Sequence, residues 1–382
     1  MRVTIIGAGV VGAAIAYELS LVSGLQTTLL DAAPQPGQGA TGAALGVLMG
    51  AISRKTKGRA WRLRQRSLER FETLIPELEL LTGQTLGVNR QGIVLLQGPE
   101  ADLEPWRRLQ ALRQSQGYRL DLWDQFTLEH HCPQVVLDKG GSAIYSPQDC
   151  QISPTLLTQA LITAAQRQGV DCRFGVACQP LDPSAITTSG LTLMTSQGPL
   201  ETDLVIVTAG LASSALTPQA LSLQPVIGQA LEVRVAHPLG RDDFQPVLSY
   251  QDVHIVPLTQ NRYWVGATVE FPAEEAASLP TAAQWLEQVW QTAVSFCPAL
   301  ETAEILRQWS GQRPRPLGES APVIRPLPGY AGVLLATGHY RNGVLLAPAT
   351  ALEVRDWVLS QGNPGLEGPS GGFIQDASEV GG

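Results

Sequence analysis

The earliest residues with the type and spacing for chemistry are three glycines and an acid. Gly7-Ala8-Gly9-Val10-Val11-Gly12 forms a G-x-G-x-x-G turn, and Asp31 follows nineteen residues after its last glycine. Glycine permits a tight turn at position 7, close backbone approach of a ligand at 9, and close helix–strand packing at 12. A helix opened by such a turn presents free N–H groups and the positive end of its dipole to a pyrophosphate. A carboxylate on the next strand can accept hydrogen bonds from a ribose diol. A bare glycine turn is a weak signal, and its setting is what strengthens it. Val3-Thr4-Ile5-Ile6 is a β-branched run, a helical stretch follows to about Ser23, and Thr27-Thr28-Leu29-Leu30 leads into Asp31. This is the order of a dinucleotide-binding βαβ unit. No arginine follows Asp31 to meet a 2′-phosphate, so NADP is not expected.

The remaining elements must position whatever this unit holds. Residues 34–46 form a loop rich in Gly and Ala, and 58–81 a helix carrying many Arg and Leu. Strand character falls on 92–96, and an amphipathic helix on 103–116. Ser153 caps a helix over 153–168, with Pro154 at its first position. Residues 191–194, a turn at Gln197-Gly198, and 200–208 predict a hairpin entering a buried strand. Strand-like runs at 231–235, 254–257 and 263–268 precede a helix over 281–296. A buried strand at 333–337, a polar turn at 338–343 and a helix over 344–359 complete the pattern. The last twenty or so residues, rich in Gly, Pro and acid, are expected to be disordered. Alternating α/β units at both ends of a strand-rich middle predict a mixed α/β fold. A Rossmann-like nucleotide domain is assembled from separated segments, with a mostly antiparallel sheet inserted.

Composition excludes several function classes. The 382 residues carry 26 Lys+Arg against 34 Asp+Glu, a net charge of -8, which is the wrong sign for nucleic-acid binding. Only 16% of residues are charged and 38 are glycine, unlike a coiled coil or helical solenoid. The five cysteines form no C-x-x-C pair, and His130-His131 beside Cys132 is a poor metal site because adjacent side chains diverge. No metal is therefore expected. No apolar run reaches the roughly 18 residues of a membrane span, and the start lacks a secretion signal, so a cytoplasmic location is expected.

A second G-x-G-x-x-G after a strand is missing, which disfavours a flavin reductase fed by a nicotinamide. Several segments then recur in a known order. They are Gly7 to Gly12, Asp31, Ala40-Thr41-Gly42-Ala43-Ala44-Leu45-Gly46, the run Asp203-Leu204-Val205-Ile206-Val207-Thr208-Ala209-Gly210, and Gly338-His339-Tyr340-Arg341-Asn342-Gly343-Val344-Leu345-Leu346-Ala347-Pro348. Gly228-Gln229 and Trp309-Ser310-Gly311-Gln312-Arg313-Pro314 also fit. Over about residues 1–360 the chain resembles the D-amino-acid oxidase family of FAD enzymes, and within it the glycine-oxidising branch of thiamine biosynthesis.

The resemblance implies FAD, with segments 1–85, 140–225 and 318–360 binding it and 86–139 and 226–317 forming the substrate side. Residues 361–382 are left as the tail. Backbone N–H groups of Val10 and Val11 would meet the pyrophosphate, and Asp31 with Ala32 the adenosine ribose. Thr41, Gly42, Gly46, Val47 and Leu48 would run beside the flavin. A strand residue near Cys178 would meet the adenine, with Val176 the alternative register, and Gly210 closes that part of the cofactor wall. His339, Tyr340, Arg341, Asn342, Gly343, Val344 and Leu345 would pass the flavin's pyrimidine edge. With no cysteine beyond Cys297 in a place to attach it, the FAD is expected to be noncovalent.

On the substrate side the resemblance makes Arg313, in a Gln312-Arg313-Pro314 turn, the carboxylate anchor, since the planar guanidinium matches a carboxylate bidentately. Arg341 would be a second arginine near flavin and substrate. His254 stands where a tyrosine hydroxyl is usual; imidazole could donate a hydrogen bond and, when charged, assist Arg313. Val269 is expected as an apolar pocket wall. The implied reaction is hydride transfer from a neutral amine to flavin N5. The imine then hydrolyses to a keto or aldehyde acid plus ammonia, and O2 is reduced to hydrogen peroxide. No acid or base is required. Sarcosine, D-amino acids or proline as substrate, a quinone as acceptor, a nicotinamide dehydrogenase and a flavin-binding protein without turnover stay open. The family tends to form homo-oligomers, but no interface signature is visible.

Overall fold

The computed structural model describes residues 1–182, 186–187, 190–218, 220–271 and 282–361. The tail expected at 361–382 lies outside these, except for Gln361, which ends the last helix.

Two sheets dominate. The first has six strands in the order Val323–Pro326, Val333–Thr337, Leu204–Val207, Arg2–Ile6, Gln26–Asp31, Asp171–Phe174. All neighbours are parallel except Val323–Pro326, which pairs antiparallel at one edge. The inner strands are nearly all apolar and buried, as parallel strands covered on both faces must be. The first helix, Val10–Ser20, is buried almost all round, with Ala13, Ala14, Ile15 and Ala16 at 0–1% exposure. Its small side chains let it lie between the sheet and the helices Pro154–Arg167 and Gly343–Gln361 in one core.

The second sheet has eight strands, in the order Glu304–Pro316, Leu223–Arg234, Arg262–Gly266, Val253–Pro257, Val247–Tyr250, Ile93–Gln97, Ser142–Ser146, Asp121–Trp123. Its pairs are antiparallel apart from Ile93–Gln97 with Val247–Tyr250. The helix Ala282–Phe296 packs its Leu286, Val289, Ala293 and Phe296 on this sheet.

Several expectations need correction. The strand expected at 231–235 begins at Leu223, eight residues earlier. Arg313 lies in the thirteen-residue strand Glu304–Pro316 rather than in a turn. Ser142–Ser146 pairs with Ile93–Gln97 in the eight-stranded sheet, although 140–225 was expected on the nucleotide side. The helices over Gly58–Thr82, Glu104–Ser115 and Pro154–Arg167 fall within a residue or two of expectation, and Ser153 caps the last by accepting the N–H of Leu156.

Candidate active site

A cavity of about 860 Å³ runs from the glycine turn of the first sheet to the end of the second. That is the size range of cofactor and ligand sites, roughly 300–1,000 Å³. At one end Gly7, with φ +111°, turns the chain out of its strand. A side chain there would collide with the backbone of Thr208 and Ala209. Thr208 Oγ1 donates to the carbonyls of Ile6 (3.0 Å) and Gly7 (2.7 Å), joining the turn to the neighbouring strand. Gly9, Val10 and Val11 line the cavity at the start of an eleven-residue helix. The N–H of Val10 donates to Thr41 Oγ1 at 3.1 Å, which fixes the loop of Thr41 over the helix start.

Asp31 and Ala32 line the same end. The Asp31 carboxylate accepts the N–H of Ala8 at 2.6 Å and of Ala33 at 2.8 Å, so it also stitches the glycine turn to the loop beyond its own strand. Val176 and Cys178 both reach the cavity, so both registers considered for that strand remain open. Burial pushes the Cys178 thiol up to about 11, so it is protonated and inert at neutral pH. Gly210 lines the wall nearby.

Farther along, Thr41, Gly46 and Val47 face the cavity. Gly46 has φ +71° and presses on the carbonyl of Ile152, which leaves no room for a side chain. Four of the residues expected to bind the cofactor do not reach the wall. Leu48 follows Val47 in a two-residue strand and so points the other way, into the core at 0% exposure. Gly12 packs against Gly7 and Thr208, and Gly42 against the carbonyl of Gly37. Asn342 uses its N–H on the carbonyl of His339 at 3.0 Å, closing a single helical turn. The rest of that segment, His339, Tyr340, Arg341, Gly343, Val344 and Leu345, lines the cavity. Burial pulls His339 down to about 3, with the Arg59 charge a second cause. Its neutral ring meets Thr350 Oγ1 at 2.9 Å.

The loop behind Val47 is clamped by two buried side chains that sequence reasoning missed. Asp149, at 0% exposure, accepts N–H bonds from Gly50, Ala51 and Ile52 at 2.7–2.8 Å and the hydroxyl of Ser146. Arg113, equally buried, donates to the carbonyls of Ala51, Ser53 and Lys55 and lies 3.5 Å over the Trp61 ring.

The other end of the cavity carries Arg313, Arg341, His254 and Asp252. Arg313 lies against Gly228, where a side chain would overlap its guanidinium. Its Nη1 donates to the carbonyls of Ile227 (3.0 Å) and Thr268 (2.9 Å). Burial, and then the nearby Arg341 charge, pull its pKa down from the usual arginine value. Among the described residues no carboxylate forms an ion pair with it. Arg341 differs, since its Nη2 donates to Asp252 Oδ1 at 2.8 Å. That bond, ahead of the opposing burial, holds the Asp252 carboxyl below its ordinary range.

His254 lines the same wall, and of its two possible charge states the neutral one is favoured. Burial, followed by the Arg341 charge, pulls its pKa to about 4, so the ring is neutral at physiological pH and cannot assist Arg313 as a cation. Its Nδ1 is buried without a hydrogen-bond partner among the described residues. Val269 lies outside the cavity wall, and Ala267 takes that place. Cys297 sits at 0% exposure in the core of the second sheet, away from the cavity. His131 has gone to packing, its ring stacked 4.8 Å from Trp123, while His130 is exposed.

Comparison with known proteins agrees with this architecture. Residues 2–357 match the DAO family of FAD dependent oxidoreductases. The chain is 32% identical over 369 residues to the bifunctional protein ThiO/ThiG of Synechocystis sp., covering 94% of this chain and 52% of that one. It therefore spans about half the length of that relative. It is 28% identical over 359 residues to the glycine oxidase of Geobacillus kaustophilus, covering 93% of this chain and 92% of that one. The crystal structure of a glycine oxidase from Geobacillus kaustophilus superposes with a TM-score of 0.80 at 29% identity, over 94% of each chain. The L-proline dehydrogenase of P. horikoshii, at 18% identity and a TM-score of 0.79 over 94% of this chain and 93% of that one, shares the fold. The glycine turn, the helix start behind it and the long cavity suit an extended dinucleotide, and the chain belongs to the DAO family of FAD-dependent oxidoreductases.

Proposed function

We propose that the chain is an FAD-dependent oxidase of glycine and similarly small amino acids or amines, serving thiamine thiazole synthesis. The observation that carries this is Arg313, a half-buried cation in the cavity wall with no carboxylate partner among the described residues. A charge partly withdrawn from water and left unpaired is costly, and a substrate carboxylate is the natural counter-ion. Ile227 and Thr268 hold Nη1, so the guanidinium is oriented before substrate arrives, which lowers the entropic cost of binding.

Val10, Val11, Asp31, Thr41, Gly46, Val47 and the His339–Leu345 segment would hold FAD without a covalent bond. Bound FAD supplies the hydride acceptor, and O2 is the expected final electron acceptor. The chain's own part is positioning. Arg313 fixes the carboxylate, neutral His254 offers one ring N–H or one lone pair beside it, and Ala267 and Gly228 keep the space small. No side chain is asked to move a proton, since the amine reacts in its neutral form and water completes the hydrolysis.

The test is anaerobic mixing of the yellow holoprotein with glycine, following the visible flavin band. Bleaching, with recovery and peroxide on admitting air, supports the proposal. Bleaching only with sarcosine or D-alanine would keep the chemistry and replace the substrate. No bleaching by any of them would overturn it.

A further inference from the structure

Four side chains at the substrate end can carry charge, and their sum has a consequence for specificity. Arg313 and Arg341 are cations, His254 is neutral and Asp252 is an anion. Among the described residues, the cavity wall there carries one net positive charge. Glu270 is also nearby, but it stands behind the wall, accepting hydrogen bonds from Gln229 and Thr268. Gln251 and Asp252 form the two-residue turn between the strands Val247–Tyr250 and Val253–Pro257, with φ of +47° and +67°. Both are in the left-handed region, which aspartate accepts readily in such turns. The turn thereby holds a carboxylate at the cavity wall, and that carboxylate bonds Arg341 at 2.8 Å.

We infer that Asp252 is a specificity determinant: by occupying Arg341 it leaves a single unpaired arginine, so the site takes monocarboxylate amines and refuses dicarboxylates. The inference rests on the proposal that Arg313 binds a substrate carboxylate. A second carboxylate entering beside Arg341 would have to displace Asp252, and would meet its repulsion, which solvent weakens because the Asp252 side chain is 65% exposed. Removing the Asp252 charge frees Arg341 and makes the wall doubly positive.

The experiment measures binding, not turnover. The FAD-loaded protein is titrated with acetate and with malonate at neutral pH and fixed ionic strength, with affinity read from the rise in melting temperature. The wild type is expected to bind malonate no more tightly than acetate. Asp252→Asn is expected to raise malonate affinity relative to acetate about two- to fivefold, the scale of one solvent-exposed charge pair. Asp252→Glu, which keeps the charge, is expected to retain the wild-type ratio. An unchanged ratio in Asp252→Asn, or a wild type that already prefers malonate, overturns the inference while acetate binding leaves the carboxylate site standing. If acetate shifts no form of the protein, the carboxylate site itself falls, and the inference with it.

Discussion

The guanidinium of Arg313 rests against Gly228 on the adjacent strand, so closely that any side chain at 228 would overlap it. Gly228 pairs with Gly311, and Val226 with Arg313, so the arginine crosses the ladder diagonally to reach the cavity. Gly228 has no left-handed backbone, so alanine is tolerated by the chain and refused only by the guanidinium. Gly228→Ala is expected to raise KM for glycine about tenfold or more while FAD content stays near wild type. Steady-state kinetics beside the flavin-to-protein absorbance ratio decide it; an unchanged KM would place the anchor elsewhere.

Arg313→Lys keeps a positive charge but loses the planar fork. Two carbonyls, of Ile227 and Thr268, position that fork, and a lysine ammonium cannot satisfy both and still grip a carboxylate bidentately. A fall in kcat/KM of roughly 10²-fold is expected, and Arg313→Ala should cost more, about 2–5 kcal/mol. A lysine variant with wild-type efficiency would show that charge alone suffices.

His254 and His339 make stability depend on acid. The folded protein holds His254 at about 4 against an ordinary 6.5, and His339 at about 3. At neutral pH both are uncharged in folded and unfolded chains and no penalty exists. As pH falls below 6.5 the unfolded chain takes up protons that the folded one refuses, so stability drops until the folded pKa is passed. His254 is expected to contribute up to about 3 kcal/mol of this loss between pH 6.5 and 4. Denaturant titrations across that window should show a shallower decline for His254→Tyr than for wild type. Parallel declines would mean that His254 is not held neutral.

Asp149 is expected to be the costliest acid to remove. Three backbone N–H groups and a serine hydroxyl converge on its carboxylate at 0% exposure. Asp149→Ala orphans all four donors and should destabilise the protein by about 3–5 kcal/mol. The loop it holds leads directly from Val47 in the cavity wall, so FAD affinity should weaken as well. Melting temperature and flavin-fluorescence titration measure the two effects; a variant with intact FAD affinity would separate the loop from the site.

The nucleotide end was legible because each device there is local: a glycine turn, a strand, a helix and an acid in fixed order. The substrate end was read only in part. Glu304–Pro316 was passed over because Pro314, Pro316 and polar residues interrupt any alternation. It is an edge strand, where proline removes no needed N–H bond. Leu223–Arg234 was read short for a similar reason, since Pro225 and Gly228 mark turns in most contexts. Asp252 gave no signal at all as a site residue. Its carboxylate meets Arg341 across 89 positions of chain, and no local pattern encodes such a meeting. His254 reaches the cavity wall, and of the neutral and charged rings the sequence left open, burial favours the neutral one. Leu48 and Asn342 illustrate a finer limit: a motif locates a segment, and strand or turn geometry decides which members face inward.

The central strand of the first sheet, Arg2–Ile6, has Leu204–Val207 as its neighbour, and that strand in turn pairs with Val333–Thr337. The floor under the glycine turn is thus assembled from the first, middle and last portions of the polypeptide. On a ribosome adding roughly 5–20 residues per second, the opening strand waits tens of seconds for its furthest companion. Such high contact order slows folding and keeps apolar edges open meanwhile. The floor of the cofactor cavity therefore exists only once strands more than 300 residues apart have met.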